Sequence, residues 1–290
     1  MKTKFLIITS LLSFALFIGC SPNETAETTI AAKTITTDDA VANSDIDASV
    51  DDVSSIVEDQ LAVQLSSVSR TSEPVKSILP PCCTITTVVG ETNVTKTIDF
   101  GTEGCTMPNG NVLKGKIIIS FSKNTLLLKR TINYTLENFY HNGNLIEGSK
   151  SITHENKSTD LLAVSHPVTI HTIDLKVTFA DGKVFTRVGT NTREMTEGFT
   201  TFGNWEDNVF LVSGNHTTTF PDGSKYTSTI TTPLKFKASC RVPFPVEGVV
   251  ETKKNDVVAT LDYGNGDCDN LATFTTGGVS KQIELKRKKM

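Results

Sequence analysis

At 290 residues, with a formal net charge of −4, 21% charged and 7% aromatic residues, the chain suits one large domain or two ordinary ones and carries no strong overall charge bias. One Trp, and no basic stripe interleaved with aromatics, exclude the usual footprint of nucleic-acid binding. The charge is unevenly spread: residues 21–60 hold ten acids against Lys33, a local −9, while residues 1–20 carry +2 and residues 61–290 carry +3.

In chain order, Lys2 and Lys4 precede an apolar run from Phe5 to Ile18 and then Gly19 and Cys20, the layout of an export signal over 1–19. The run is too short to cross a bilayer, which takes about 20 apolar residues. "FIGC" resembles the lipobox of bacterial lipoproteins, with Phe17 where Leu, Val or Ile is usual. That resemblance implies cleavage before Cys20, a thioether-linked lipid on its sulfur and acylation of the new amino group. With about 0.8 kcal/mol for each buried methylene, such an anchor holds permanently. No other stretch of 18 apolar residues follows, so the expectation is a chain attached to the membrane by lipid and not spanning it.

Residues 20–43 are rich in Thr, Ala, Asp and Glu, the composition of a flexible acidic tether. Apolar residues then recur at Ile46, Val50, Val53, Val57, Leu61, Leu65 and Val68 in steps of three or four, which predicts one amphipathic helix over 44–70. Ser44 and Asp47 form a candidate capping pair, and Arg70 suits the negative end of the helix dipole. An acidic polar face disfavours a membrane-surface role, so the stripe reads as a seam against the body or another helix.

The body, residues 71–290, is all-β. From "PPCC" onward Thr is abundant and β-branched or aromatic residues alternate with polar ones, as in "KYTSTITT" and in "KVTFADGKVFTRV", which turns at Asp181-Gly182. Further turns are signalled by "HNGN", "PDGS", "KKND", "GNGD" and "TGG", giving about twelve to fifteen strands in antiparallel hairpins. The fold class is mainly β: a meander of long hairpins forming a curved sheet, sandwich or open barrel, preceded by the helix. Gly115, Gly148, Gly182, Gly214 and Gly248 recur at steps of 32 to 34, where bulges would let the meander curl. Truncation to 72–290 is expected to leave a folded body.

One phrase occurs twice: "TIDFGTEGC" ends at Cys105 and "TLDYGNGDC" at Cys268. Oxidation is the rule for exported thiols. Cys240 and Cys268 lie equally far from a turn at "KKND" and should face each other. Cys83 and Cys105 flank a turn near "GETN" and form the first expected bridge, with Cys82 free or an alternative partner for Cys105. Each bridge contributes about 3 kcal/mol by loop closure. Asp99 and Asp262 are then turn residues accepting backbone hydrogen bonds. The denser acids of the second copy, Asp262, Asn265, Asp267 and Asp269, lack the ligand order and terminal Glu of an EF-hand, so no metal is assigned.

Together with "LENFYHNGNLIEG" and "NGNVLKGKIIISF", the phrase resembles segments of a group of uncharacterised Bacteroidota-type exported lipoproteins, over about residues 83–287. The resemblance implies an exported all-β lipoprotein and carries no activity or functional residues.

No catalytic set is legible. The Gly-x-Ser-x-Gly elbow is missing, "HENKS" at His154 lacks the second histidine of a zinc motif, and Glu194 with Glu197 is a carboxylate pair without known geometry. His166 and His171, five apart across Pro167, would point to opposite faces of a strand and are read as surface residues. Trp205 lies between two strands, as a core anchor or an exposed sugar-stacking ring. The "KRKK" tail reads as solvated. The expected function is therefore a non-enzymatic binding or structural role in the cell envelope, as an outer-membrane lipoprotein facing periplasm or cell surface. Its partners are the membrane, through the lipid, and a protein or glycan, with no cofactor. The alternative is a secreted hydrolase of envelope or environmental polymers with a dispersed site.

Overall fold

Among the described residues one long helix comes first and fifteen strands follow. The computed structural model describes residues 34–68, 77–124, 129–201 and 204–285, so the signal, Cys20, most of the acidic tether, Arg70 and the "KRKK" tail lie outside the described residues. The helix is α1 (Thr37–Val68). The strands are β1 (Thr84–Val89), β2 (Asn93–Asp99), β3 (Cys105–Thr106), β4 (Val112–Ser122), β5 (Lys129–His141), β6 (Asn144–Glu147), β7 (Ser149–Lys157), β8 (His166–Thr178), β9 (Val184–Glu197), β10 (Val209–Thr219), β11 (Lys225–Lys237), β12 (Glu247–Lys254), β13 (Val257–Asn265), β14 (Leu271–Thr276) and β15 (Val279–Glu284).

All fifteen belong to one antiparallel meander sheet, with β3 beside β4 and β7 between β5 and β8. It is neither a sandwich nor a closed barrel, because β1 and β15 remain as its two edges. Turn chemistry sets the connections. Asn255-Asp256 joins β12 to β13 with Asn255 at φ 53, and Asp181-Gly182 joins β8 to β9 with Gly182 at φ 83. Curvature comes from bulges. At Lys114/Lys116 the β4–β5 register slips by one residue, and Asn138 of β5 takes a left-handed φ of 46. Gly115 lies against that bulge: a Cβ there would sit 1.9 Å from the Asn138 carbonyl oxygen, so no other residue fits. All five of the regularly spaced glycines have positive φ; four lie against a neighbouring strand and Gly182 is a turn.

The helix begins seven residues earlier than its apolar period indicates. Thr36 caps it: Asp39 N donates to Thr36 Oγ1 at 3.2 Å while Thr36 N donates to Asp39 Oδ2 at 2.9 Å, a reciprocal capping box. The expected caps Ser44 and Asp47 are instead interior positions facing the sheet. Residues 37–43 are thus helical and not part of a tether, because the cap and the sheet contacts of Asn43 supply what their apolar content does not.

Apolar residues of the stripe from Ile46 to Leu61 are buried and join one core cluster with Ile98, Leu113, Ile117, Ile132, Phe139, Leu175 and Phe274 of the sheet. Partners of α1 come from strands as far apart as β2 and β13, so the sheet curls around the helix. At about 25 cal/mol per Å² of buried apolar surface, this places α1 at the centre of the core rather than on its flank. A body cut to 72–290 would lose that centre.

Candidate functional site

The seam between α1 and the concave face of the sheet concentrates the ionisable side chains. Alternation along β9 sends Arg187, Asn191 and Arg193 to the same face, and 3.6-residue periodicity sends Asp47, Asp51, Ser54, Ser55 and Glu58 of α1 toward them. The acidic side of the helix is therefore buried against basic strands.

Arg187 is 1% exposed. Its guanidinium pairs with Asp47, donates to Asn43 Oδ1 at 2.8 Å and Asn43 O at 3.2 Å, and donates from Nε to Thr218 Oγ1 at 3.1 Å. Burial outweighs the pairing here: it pushes Asp47 up and Arg187 down, each toward its neutral form. His216 lies 3.9 Å from Asp47 with neither ring nitrogen hydrogen-bonded, and burial with the Arg187 charge holds it neutral, well below its ordinary range.

Two carboxylates serve Arg193. Nε donates to Asp51 at 3.1 Å, Nη1 to Glu58, and Nη2 to Ser55 Oγ at 3.0 Å, while the guanidinium stacks 3.4 Å from the Phe210 ring centre. Burial raises both acids, yet for Glu58 the Arg193 charge and the His171 contact prevail and hold it at about 2. Asp51 receives less, and burial leaves it raised to about 6. Burial also opposes the charge on Arg193, but its two carboxylates raise it overall.

Two further sets have the composition of Ser–His–acid triads. Ser49 Oγ lies 3.0 Å from His141 Nδ1, whose Nε2 lies 2.9 Å from Asp52. Ser54 Oγ lies 3.0 Å from His171 Nδ1, whose Nε2 lies 3.4 Å from Glu58. Both serines are buried, and each donates its hydroxyl to a helix carbonyl one turn back, Asp45 O at 2.9 Å and Val50 O at 2.6 Å. A nucleophile needs a free hydroxyl proton for its base and a path for substrate. Here each hydroxyl is also within hydrogen-bond reach of a helix carbonyl, and in the Ser49 set Asn109 and Asn111 each donate to Asp52 at 2.6 Å. Cavities along the seam have volumes of about 20 and 10 Å³, room for water and not for a substrate.

His166 and His171 do lie on opposite faces of β8, but both are buried, not surface residues. His171 enters the seam; on the outer face His166 Nε2 meets Glu194 at 2.9 Å and Nδ1 meets Val164 O at 2.7 Å, under the 158–165 connection. Thr159 completes that set by donating to Glu194 at 2.6 Å. Glu197 is exposed and does not join Glu194. Trp205 is half-buried in its loop, neither core anchor nor open stacking platform.

Cys240 is bonded to Cys268, with Cα atoms 5.0 Å apart. For the first copy the expected Cys83–Cys105 bridge is corrected: Cys82 bonds Cys105, and Cys83 carries a free thiol. The reason is the turn at Pro80, where Cys83 N and Sγ both donate to Pro80 O at 3.2 Å, turning that thiol inward beside the core. The repeated phrase has one local geometry in both copies: Asp99 and Asp262 accept from Gly101 N at 2.8 Å and Gly264 N at 2.9 Å, and Phe100 and Tyr263 are buried. Asp269 likewise accepts from Leu271 N at 3.0 Å, a backbone turn of the same kind.

Sequence reasoning missed the seam. Its signals were the alternating Arg187 and Arg193 on one strand face and the helical spacings Ser49-x-x-Asp52 and Ser54-x-x-x-Glu58. No family model, curated protein or solved structure matches the chain.

Proposed function

We propose that the chain is a lipid-anchored cell-envelope protein with a binding or structural role, attached at Cys20 and exposed to periplasm or cell surface. The observation that carries this reading is the use made of the reactive side chains. Both Ser–His–acid sets and both seam arginines hold α1 against the sheet, with each serine hydroxyl also in reach of a helix carbonyl, so the chemistry available serves architecture. A protein or glycan partner would then meet the outer face, the edges or the loops of the sheet, since its own helix fills the concave face. The lipobox resemblance supplies the anchor.

The hydrolase reading rests on the same serines. Metabolic labelling with an alkynyl palmitate, combined with a fluorophosphonate probe on the native protein, separates the two. The expected result is lipid label on wild type, none on Cys20→Ala, and no phosphonate adduct. Adduct formation at Ser49 or Ser54 would establish an accessible nucleophile and overturn the non-enzymatic reading; lipid label on Cys20→Ala would overturn the anchor.

A further inference from the structure

The two edges of the sheet are managed differently. β15 carries Lys281 and Glu284, the charged side chains that commonly keep an edge from pairing. β1 reads Thr-Ile-Thr-Thr-Val-Val: no charge, no proline, no bulge in its register with β2, and all six residues exposed, with Ile85 at 42%, Val88 at 61% and Val89 at 66%. The Cys82–Cys105 bond and the Pro80–Cys83 turn fix the start of this strand, so it is an ordered edge and not a fraying one.

Its hydrogen-bonding pattern selects an occupant. Gly90 N donates to Asn93 O at 2.9 Å, making Gly90 and Asn93 a hydrogen-bonded pair. Antiparallel alternation then directs the backbone groups of Val88, Thr86 and Thr84 toward β2, and leaves the N–H and C=O of Ile85, Thr87 and Val89 facing outward. We propose that β1 pairs antiparallel with β1 of a second copy of this chain about a twofold axis through Thr87.

Symmetry and satisfaction both pick that register. A twofold axis perpendicular to a continuous sheet pairs residues of like parity and places one residue opposite itself. Centred on Thr87, the pairing matches Ile85 with the partner's Val89 and Thr87 with the partner's Thr87, so each outward N–H and C=O of the three residues finds a complement. Centring on Thr86 instead would match Val89 with Cys83, whose N–H already donates to Pro80 O. Parity also sorts the side chains. Ile85 and Val89 share the face of their β2 partners Ile98 and Val94, so the new apolar pair extends the existing core face across the junction. Neutral side chains along the whole strand mean that self-pairing brings no like charges together. If the chain is anchored as proposed above, confinement to one membrane raises the local concentration and lets a short interface suffice.

Cysteine cross-linking tests the pairing and its register in the full chain, using a Cys83→Ser background to remove the free thiol. Thr87→Cys should yield a covalent dimer under mild oxidation, because directly opposed residues of a hydrogen-bonded pair have Cα atoms about 5.5 Å apart. Thr86→Cys, whose counterpart is displaced along the strand, should form no covalent dimer. Sedimentation of the otherwise unaltered protein in detergent should return twice the chain mass. Thr87→Pro, which removes only an outward N–H, should return a monomer with unchanged circular dichroism. A monomeric mass for the unaltered protein, absence of the Thr87→Cys dimer, or equal cross-linking of the two cysteine variants overturns the proposal. It stands or falls independently of the lipid anchor, which palmitate labelling reads separately.

Discussion

Arg187 and Arg193 occupy one face of β9, point at the same helix, and are shifted in opposite directions from the ordinary arginine range. Arg187 meets one carboxylate, Asp47, with neutral acceptors on its other nitrogens, and burial drives both members of that pair toward neutrality. Arg193 meets Asp51 and Glu58, and there the combined charge prevails over burial on the cation and on Glu58. One carboxylate and neutral acceptors leave burial dominant on Arg187, whereas two carboxylates outweigh it on Arg193. One consequence is internal to the Arg193 cluster. Two acids compete for one cation, Glu58 takes most of the benefit, and Asp51 is left raised to about 6.

Removing the guanidinium of Arg193 sharpens this comparison most. Arg193→Met leaves Asp51 and Glu58 buried without their cation and is expected to cost about 3–5 kcal/mol, read as a lower denaturant midpoint at pH 7. Arg187→Met should cost clearly less, since its one carboxylate is already pushed toward the protonated form. Equal losses in the two variants would break the distinction.

Next in size is the pH dependence of the two acids. Glu58, held at about 2 against an ordinary 4.5, contributes about 3 kcal/mol that is present above pH 4.5 and lost as pH falls toward 2. Asp51 runs the other way. Its folded value of about 6 lies above the ordinary 3.8, so its contribution, about 3 kcal/mol in full, grows as pH falls from 6 toward 4 and is absent at neutral pH. Asp51→Asn should therefore gain on wild type as pH rises from about 4.5 to 7.5, while its amide oxygen still accepts from Arg193. A difference that stays flat with pH would show that Asp51 titrates as an ordinary acid.

The smallest expected effect belongs to the triad-like sets. Ser54→Ala should cost about 1 kcal/mol, the worth of a buried hydrogen bond, by freeing Val50 O and His171 Nδ1.

The strands, their turns and the repeated phrase were legible because each is written locally. Asp181-Gly182 and "KKND" specify hairpins within a few residues, and Asp99 and Asp262 bond an amide two residues on. The helix was half legible. Its apolar period gave Ile46 through Leu61, but its start depended on the Thr36–Asp39 cap, and Asn43 bonds Arg187 across 144 positions. The seam itself was hidden for the same reason. Nothing near Asp51 or Glu58 reveals that Arg193 waits far along the chain, so the acidic face of the helix gives no sign in the sequence that it is buried. His166 and His171 were misread in the same way: alternation gives their faces correctly and is silent on what covers each face. The choice between Cys82 and Cys83 turned on one tight turn at Pro80, finer than cysteine spacing resolves.

The central claim is that α1 is the interior around which the sheet curls, held there by charge as well as by apolar contact. Native-state hydrogen exchange of the full chain tests it most directly. If the claim holds, amides from Ile46 to Leu61 exchange only through global unfolding, with the same free energy as the centre of β8 and β9, and Arg193→Met lowers both sets together. Helix amides that exchange through a separate, lower-energy opening while β8 and β9 stay protected would contradict it, showing α1 to be a detachable cover on a sheet that stands without it.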